Sequence, residues 1–82
     1  MLTVLFFGQL ADILKCRSLS MPSQRITTVH DLLSILQDRD PKWADAFADD
    51  KLMMAVNQTL VEAKHPVRAG DEVAFFPPVT GG

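Results

Sequence analysis

The stretch TVHDLLSIL, residues 28–36, carries the clearest helix signal in this 82-residue sequence. Thr28 is a typical N-cap residue, and Asp31 three positions later completes a weak form of the capping box. The apolar residues that follow recur at the spacing of one helix face: Val29, Leu32, Leu33 and Leu36. The pattern predicts one amphipathic helix in the middle of the chain that buries a single side.

Strand-like segments lie on both sides of this helix. LTVLFF (residues 2–7) ends at a glycine, and EVAFF (residues 72–76) ends at a diproline. Both are compact apolar runs of strand-forming residues. Shorter strands are predicted at residues 17–21, 53–56 and 60–61, with a turn at Asn57–Gln58. Residues 9–15 fit a short helix or a loop, and Asp40–Pro41 predicts the start of a second helix, into which Trp43 and Phe47 would face inward.

This order of elements predicts an α+β fold. Strands at both ends with a helix between them favour one mixed sheet that is packed on one face by the helix. The two terminal strands can then lie parallel and adjacent in the centre of the sheet. We expect residues 1–76 to form this domain and residues 77–82 to form an extended, flexible C-terminal tail.

Both terminal strands end in two consecutive Phe residues. Because successive strand residues point to opposite faces, one Phe of each pair faces the helix and the other faces away. Thr3 and Glu72 mark the solvent side, and on that phase Phe7 and Phe76 point outward. Neighbouring aromatic side chains form a contiguous apolar patch, which is typical of a partner-binding surface, and Leu60 is a further candidate for it. Ordinary exposure of scattered apolar residues is the alternative.

Composition limits the class of protein. The chain is 48% hydrophobic and 22% charged with a net charge of −2, as in an ordinary folded domain, and its Lys and Arg residues form no basic stripe for nucleic acid. No apolar run approaches the roughly 20 residues that span a membrane. The single cysteine allows no internal disulfide, and no His/Cys group has metal-ligand spacing. Without a signal-peptide pattern at its start, the chain is expected to be cytoplasmic and without a metal.

The C-terminal stretch PPVTGG, residues 77–82, predicts a thin extended arm. The prolines cannot donate to a strand ladder, and the β-branched pair Val79–Thr80 favours extended backbone. Six extended residues reach about 20 Å. The Gly82 α-carboxylate is the charge at its tip, so the arm suits a narrow active site, where the carboxylate would need activation by another enzyme, usually as an acyl-adenylate. A frayed terminus is the alternative.

Three strings together resemble a known family: VLFFGQLADIL (4–14), AVNQTLV (55–61) and above all HPVRAGDEVAFFPPVTGG (65–82). They are similar to the small, sulfur-carrying subunits of molybdopterin synthase. The resemblance runs nearly end to end and is weakest over residues 16–27. It implies the β-grasp fold of ubiquitin-like proteins, a fold in which the terminal strands pair as described above.

The resemblance also implies a reaction cycle. An adenylating and sulfurating partner enzyme would consume ATP to activate the Gly82 carboxylate, and sulfur would replace AMP to give a thiocarboxylate. The tail would insert into the large synthase subunit and donate its sulfur to precursor Z, which forms the dithiolene of molybdopterin. The implied tail-insertion residues are Pro78, Val79, Thr80 and Gly81. The implied partner-binding residues are Phe7, Leu60 and Phe76.

On this reading the chain is no enzyme on its own. It is the sulfur-donating subunit of a sulfurtransferase, holds no permanently bound cofactor and joins a heterotetramer with the large subunit. Two other functions share the activation step: a ubiquitin-like modifier that forms isopeptide bonds with lysines, and a thiamine-type sulfur carrier. A binding module that uses only the Phe7/Phe76 surface is a further alternative.

Overall fold

Five strands and three helices make up the part of the chain that the computed structural model describes, residues 1–48 and 51–77. In chain order the elements are β1 (Leu2–Phe6), α1 (Gly8–Leu14), β2 (Ser18–Met21), α2 (Val29–Gln37), α3 (Pro41–Ala46), β3 (Met53–Val56), β4 (Thr59–Val61) and β5 (Glu72–Phe76). Residues 9–15, whose sequence fits either a short helix or a loop, fall largely within the helix α1. The predicted tail lies outside the described residues from position 78 onward.

The strands form one mixed sheet in the order β2-β1-β5-β3-β4. The terminal strands β1 and β5 pair in parallel, with Thr3 opposite Glu72 and Phe6 opposite Phe75. Every other pairing in the sheet is antiparallel. The predicted α+β architecture is confirmed, and so is the parallel pairing of the first and last strands. The strand β2 returns along β1 after the helix α1, so the two are joined by a helical connection and not by a tight turn.

The inner face of the sheet carries the core. Val4, Val73 and Phe75 have no exposed surface, and the ring of Phe6 packs edge-on against Trp43 with centroids 5.5 Å apart. Phe47 completes this aromatic cluster, 5.4 Å from Phe75. The helix α2 buries three fully covered residues in the same core: Val29, Leu32 and Leu36. The inward positions predicted for Trp43 and Phe47 are confirmed.

Local capping fixes where α2 begins. The Thr28 hydroxyl accepts a hydrogen bond from the Asp31 backbone N–H at 3.2 Å, and the Asp31 carboxylate accepts one from the Thr28 N–H at 3.2 Å. The Thr27 hydroxyl also donates to this carboxylate at 2.6 Å. The hydrogen bonds from Thr27 hold the pKa of Asp31 below its usual value. The capping box predicted from sequence is therefore complete.

None of the helices in residues 1–48 and 51–77 is long and apolar enough to cross a membrane.

Candidate functional site

The sheet face opposite the helices, which we call the outer face, carries a stacked aromatic pair. Phe7 follows β1 and Phe76 ends β5, and their rings lie nearly parallel with centroids 5.0 Å apart and an interplanar angle of 10°. Phe7 is 43% exposed although it is a large apolar residue. Strand alternation therefore places both side chains on the side that the sequence predicts.

A shallow groove of about 570 Å³ runs along the outer face beside this pair. Its floor is formed by Ala55 and Ala74, which lie opposite each other on β3 and β5. Leu60 on the edge strand β4 lies opposite Ala55 and lines the groove while remaining 61% exposed. The sequence-predicted candidates Phe7, Leu60 and Phe76 thus share one surface. Its apolar residues are contiguous, which distinguishes it from scattered exposure.

Ala74 is a groove residue that is almost fully buried. It shares the strand phase of Phe76 and lines the groove, but it is only 7% exposed. Its methyl group is short, and the larger groove residues Phe7, Phe76 and Leu60 stand above the floor. Alternation thus predicts the direction of a side chain, whereas the size of its neighbours decides its exposure.

The tail begins at the edge of the outer face. Pro77 follows Phe76 directly. The Phe7 backbone N–H donates to the Phe75 carbonyl oxygen at 3.1 Å, which continues the parallel pairing one residue beyond β1. A Cβ atom at position 8 would lie 3.2 Å from Pro77 Cγ, and Gly8 has a φ of +61°, so a glycine suits both the backbone and the proline ring. The described residues do not include the rest of the predicted tail: Pro78, Val79, Thr80, Gly81 and Gly82. Their roles stay predictions.

A hydrogen-bonded clamp, which sequence reasoning missed, holds the other end of β5. Asn57 and Gln58 form the predicted turn with φ values of 50° and 71°, a conformation that Asn tolerates well. The Asn57 side-chain amide donates to Asp71 Oδ1 at 3.0 Å, and its oxygen accepts from the Glu72 backbone N–H at 3.0 Å. Asp71 Oδ2 accepts from the Arg68 backbone N–H at 2.8 Å. No sequence pattern joins residues 57 and 71, because the pairing of β3 with β5 brings them together.

These contacts make the clamp sensitive to acid. The Arg68 backbone N–H and then the Asn57 amide hold the pKa of Asp71 below its usual value. A carboxylate whose pKa is lower in the folded state stabilises the fold above its unfolded pKa, and this stabilisation is lost as pH falls through the folded pKa.

We therefore expect Asp71→Asn to lower stability at pH 7 and to flatten the loss of stability between pH 5 and pH 2. Urea unfolding at a series of pH values measures both effects. Asp31 also has a lowered pKa and is still present in the variant. The variant should therefore keep part of the acid sensitivity of the wild type. Parallel pH profiles for the two proteins would contradict this assignment.

Within residues 1–48 and 51–77, no group of three His, Cys, Asp or Glu side chains is arranged to hold a metal ion.

A mixed sheet whose first and last strands pair in parallel, with helices on one face, is the β-grasp architecture of ubiquitin-like proteins. The crystal structure of the H. volcanii small archaeal modifier protein 1 has this fold. It is 26% identical to this chain with a TM-score of 0.77, and the match covers 95% of this chain and 97% of that one. Residues 4–82 match the ThiS family, and the chain belongs to that family.

Two curated relatives match from end to end. The molybdopterin synthase sulfur carrier subunit of Escherichia coli (strain K12) is 45% identical over 82 residues, which is 100% of both chains. The protein of the same name from Haemophilus influenzae is 40% identical over 82 residues, again 100% of both chains.

Proposed function

We propose that this protein is a sulfur carrier for molybdenum cofactor biosynthesis, acting as the small subunit of molybdopterin synthase. The observation that carries the proposal is the full-length identity of 45% to a relative with that name. The apolar outer face with its stacked pair Phe7 and Phe76 supports it, because a carrier that works as a subunit needs a docking surface.

The chemistry would take place on the Gly82 carboxylate. A carboxylate is a poor electrophile, so an adenylating enzyme would first join it to the AMP moiety of ATP and release pyrophosphate. A sulfur donor would then displace AMP, which leaves a C-terminal thiocarboxylate. ATP is thus consumed by the partner enzyme, and the carrier itself would hold no permanently bound cofactor.

The second half of the cycle would occur in the large subunit. The outer face would dock there through Phe7, Leu60 and Phe76, and the tail residues Pro78, Val79, Thr80 and Gly81 would enter the active site. The thiocarboxylate would then give its sulfur to precursor Z, in the formation of the molybdopterin dithiolene. Because the tail starts at Pro77, beside the aromatic pair, docking of the outer face would also orient the tail toward the active site.

On this proposal the chain carries the sulfur and positions it in the active site, and the large subunit catalyses the transfer. The two kinds of subunit would form a heterotetramer. We place the cycle in the cytoplasm, a reducing compartment that suits the free thiol of Cys16.

A second function is favoured by a separate observation, the similarity to the archaeal modifier protein. A modifier would use the same activated Gly82 carbonyl, but a lysine amine would displace AMP and form an isopeptide bond. The two functions therefore differ in the nucleophile that attacks the acyl-adenylate. A thiamine-type carrier would differ only in the acceptor of its sulfur.

Intact-mass spectrometry of the protein isolated from its native host separates these functions. A carrier should show a population in which one oxygen of the terminal carboxylate is replaced by sulfur. A modifier should appear as higher-mass conjugates with the tail joined to lysines. Incubation of the thiocarboxylated chain with large subunit and precursor Z then identifies the sulfur acceptor, and failure to form molybdopterin would overturn the proposal.

A further inference from the structure

We infer that Glu72 is a specificity-determining residue of the outer face, and that the protein docking there presents an arginine or lysine side chain to the Glu72 carboxylate. The inference rests on the proposed function, because it concerns the surface proposed to bind the large subunit. It adds one chemical requirement to that surface: a cation of the partner must lie beside the apolar residues that contact the groove.

Glu72 is part of the same groove as the aromatic pair. It begins β5, Phe76 ends that strand, and both line the groove with Ala74 between them. Glu72 and Phe76 are four residue steps apart along the strand, or about 13 Å. The outer face therefore changes in character along β5. The aromatic pair lies near the tail, the alanine floor follows, and the half-buried acidic residue Glu72 lies at the far end.

Within residues 1–48 and 51–77, no ion pair neutralises this carboxylate. In the described residues the Glu72 carboxylate has no ion-pair partner within 4.0 Å, and the residue opposite it on β1 is the uncharged Thr3. The neighbouring amide of Asn57 donates to Asp71 in the clamp. The hydrogen bonds between Glu72 and Asn57 use the Glu72 backbone: its N–H donates to the Asn57 side-chain oxygen, and its carbonyl oxygen accepts from the Asn57 N–H at 2.8 Å.

Covering such a group has a clear energetic consequence. A partner that docks on the Phe76 end and extends along the groove removes water from Glu72 as well. A buried carboxylate without a counter-charge is strongly unfavourable, whereas a matched cation compensates for the lost water. The aromatic end would therefore supply affinity, and Glu72 would reject partners that cover it with neutral or acidic side chains.

The test is the affinity of the large subunit for a Glu72→Gln variant, which keeps the size of the side chain and its backbone hydrogen bond. We expect Kd to rise at least tenfold at low ionic strength, because the partner's cation is left unpaired. The wild-type Kd should increase with salt, and that dependence should be weaker in the variant.

Asp45→Asn is the matched control, since it removes one negative charge from an exposed position on α3, on the other side of the sheet. Its Kd should equal that of the wild type.

A second pair of variants leaves Glu72 in place. Thr3→Lys puts an ammonium group on the neighbouring strand at the position paired with Glu72, where its long side chain can reach the carboxylate. It should weaken binding of the large subunit as Glu72→Gln does, while Thr3→Gln, of similar length but neutral, should bind nearly as the wild type. If Glu72→Gln fails to fold, the comparison of Thr3→Lys with Thr3→Gln tests the inference in its place.

The outcomes separate the inference from the function on which it rests. Weaker binding and a flatter salt dependence in Glu72→Gln, with unchanged binding in Asp45→Asn, support the inference. Wild-type binding together with unchanged Kd and salt dependence in Glu72→Gln overturns the inference and leaves the proposed function standing. A wild-type chain that does not bind the large subunit overturns both.

Discussion

Adding one residue after Gly82, or deleting Gly82, is expected to abolish sulfur transfer while leaving folding and large-subunit binding nearly unchanged. The physical reason is reach, because each extended residue moves the reacting carbonyl carbon by about 3.3–3.6 Å. A displacement of about 1 Å can already reduce the rate a hundredfold when catalysis depends on positioning. The outer face lies on the folded domain and does not sense the length of the tail.

Single-turnover conversion of precursor Z by chemically thiocarboxylated protein, mixed with large subunit, measures this effect. Gly81→Ala is the matched control, since it keeps the length and adds one methyl group, and it should impair transfer less than either length change. An extended variant that turned over like the wild type would show that the terminal carbonyl does not carry the sulfur.

Phe76→Ala is expected to weaken large-subunit binding by about 2 kcal/mol or more, roughly a thirtyfold rise in Kd, because an aromatic anchor at the centre of an interface carries much of its affinity. Folding should change little, since Phe76 lies on the outer face and its main aromatic contact is the stacked ring of Phe7. We expect the same pattern for Phe7→Ala. Titration of the large subunit and thermal unfolding measure the two effects separately.

The adjacent residue provides the control. Phe75 has no exposed surface and packs against Phe6 and Phe47, so Phe75→Ala should destabilise the fold by about 3–5 kcal/mol. That loss is a large fraction of the stability of a small domain. Unfolding of Phe76→Ala, or unchanged affinity in a folded Phe76→Ala, would contradict the role assigned to the outer face.

Local signals explain which elements the sequence predicts well. The helix α2 has its N-cap, its capping box and its apolar spacing within ten residues, and all of them recur in the structure. The bounds of β5 are those predicted, because a turn precedes it and a diproline follows it.

Elements that depend on distant contacts are harder to predict. The helix α1 has no side-chain cap at Phe7, and it buries Leu10, Ala11 and Leu14 against the rest of the core, so its short sequence alone did not separate helix from loop. The clamp between Asn57 and Asp71 joins residues 14 positions apart that meet only once β3 pairs with β5. For the candidate site, strand alternation placed Phe7 and Phe76 on one face together with Glu72. The burial of Ala74 required the packed structure, because it depends on the size of the neighbouring side chains.

The parallel pairing of β1 with β5 determines when the chain can fold during its synthesis. The strand β5 lies between β1 and β3, so a nascent chain that ends before residue 72 has only the separate pairs β2-β1 and β3-β4. Two-stranded pairs are marginally stable in water. The ribosome must therefore release β5, through Phe76, before β1 and β3 can be joined in one sheet. A translation product that stalls before residue 72 therefore lacks the strand that closes the sheet.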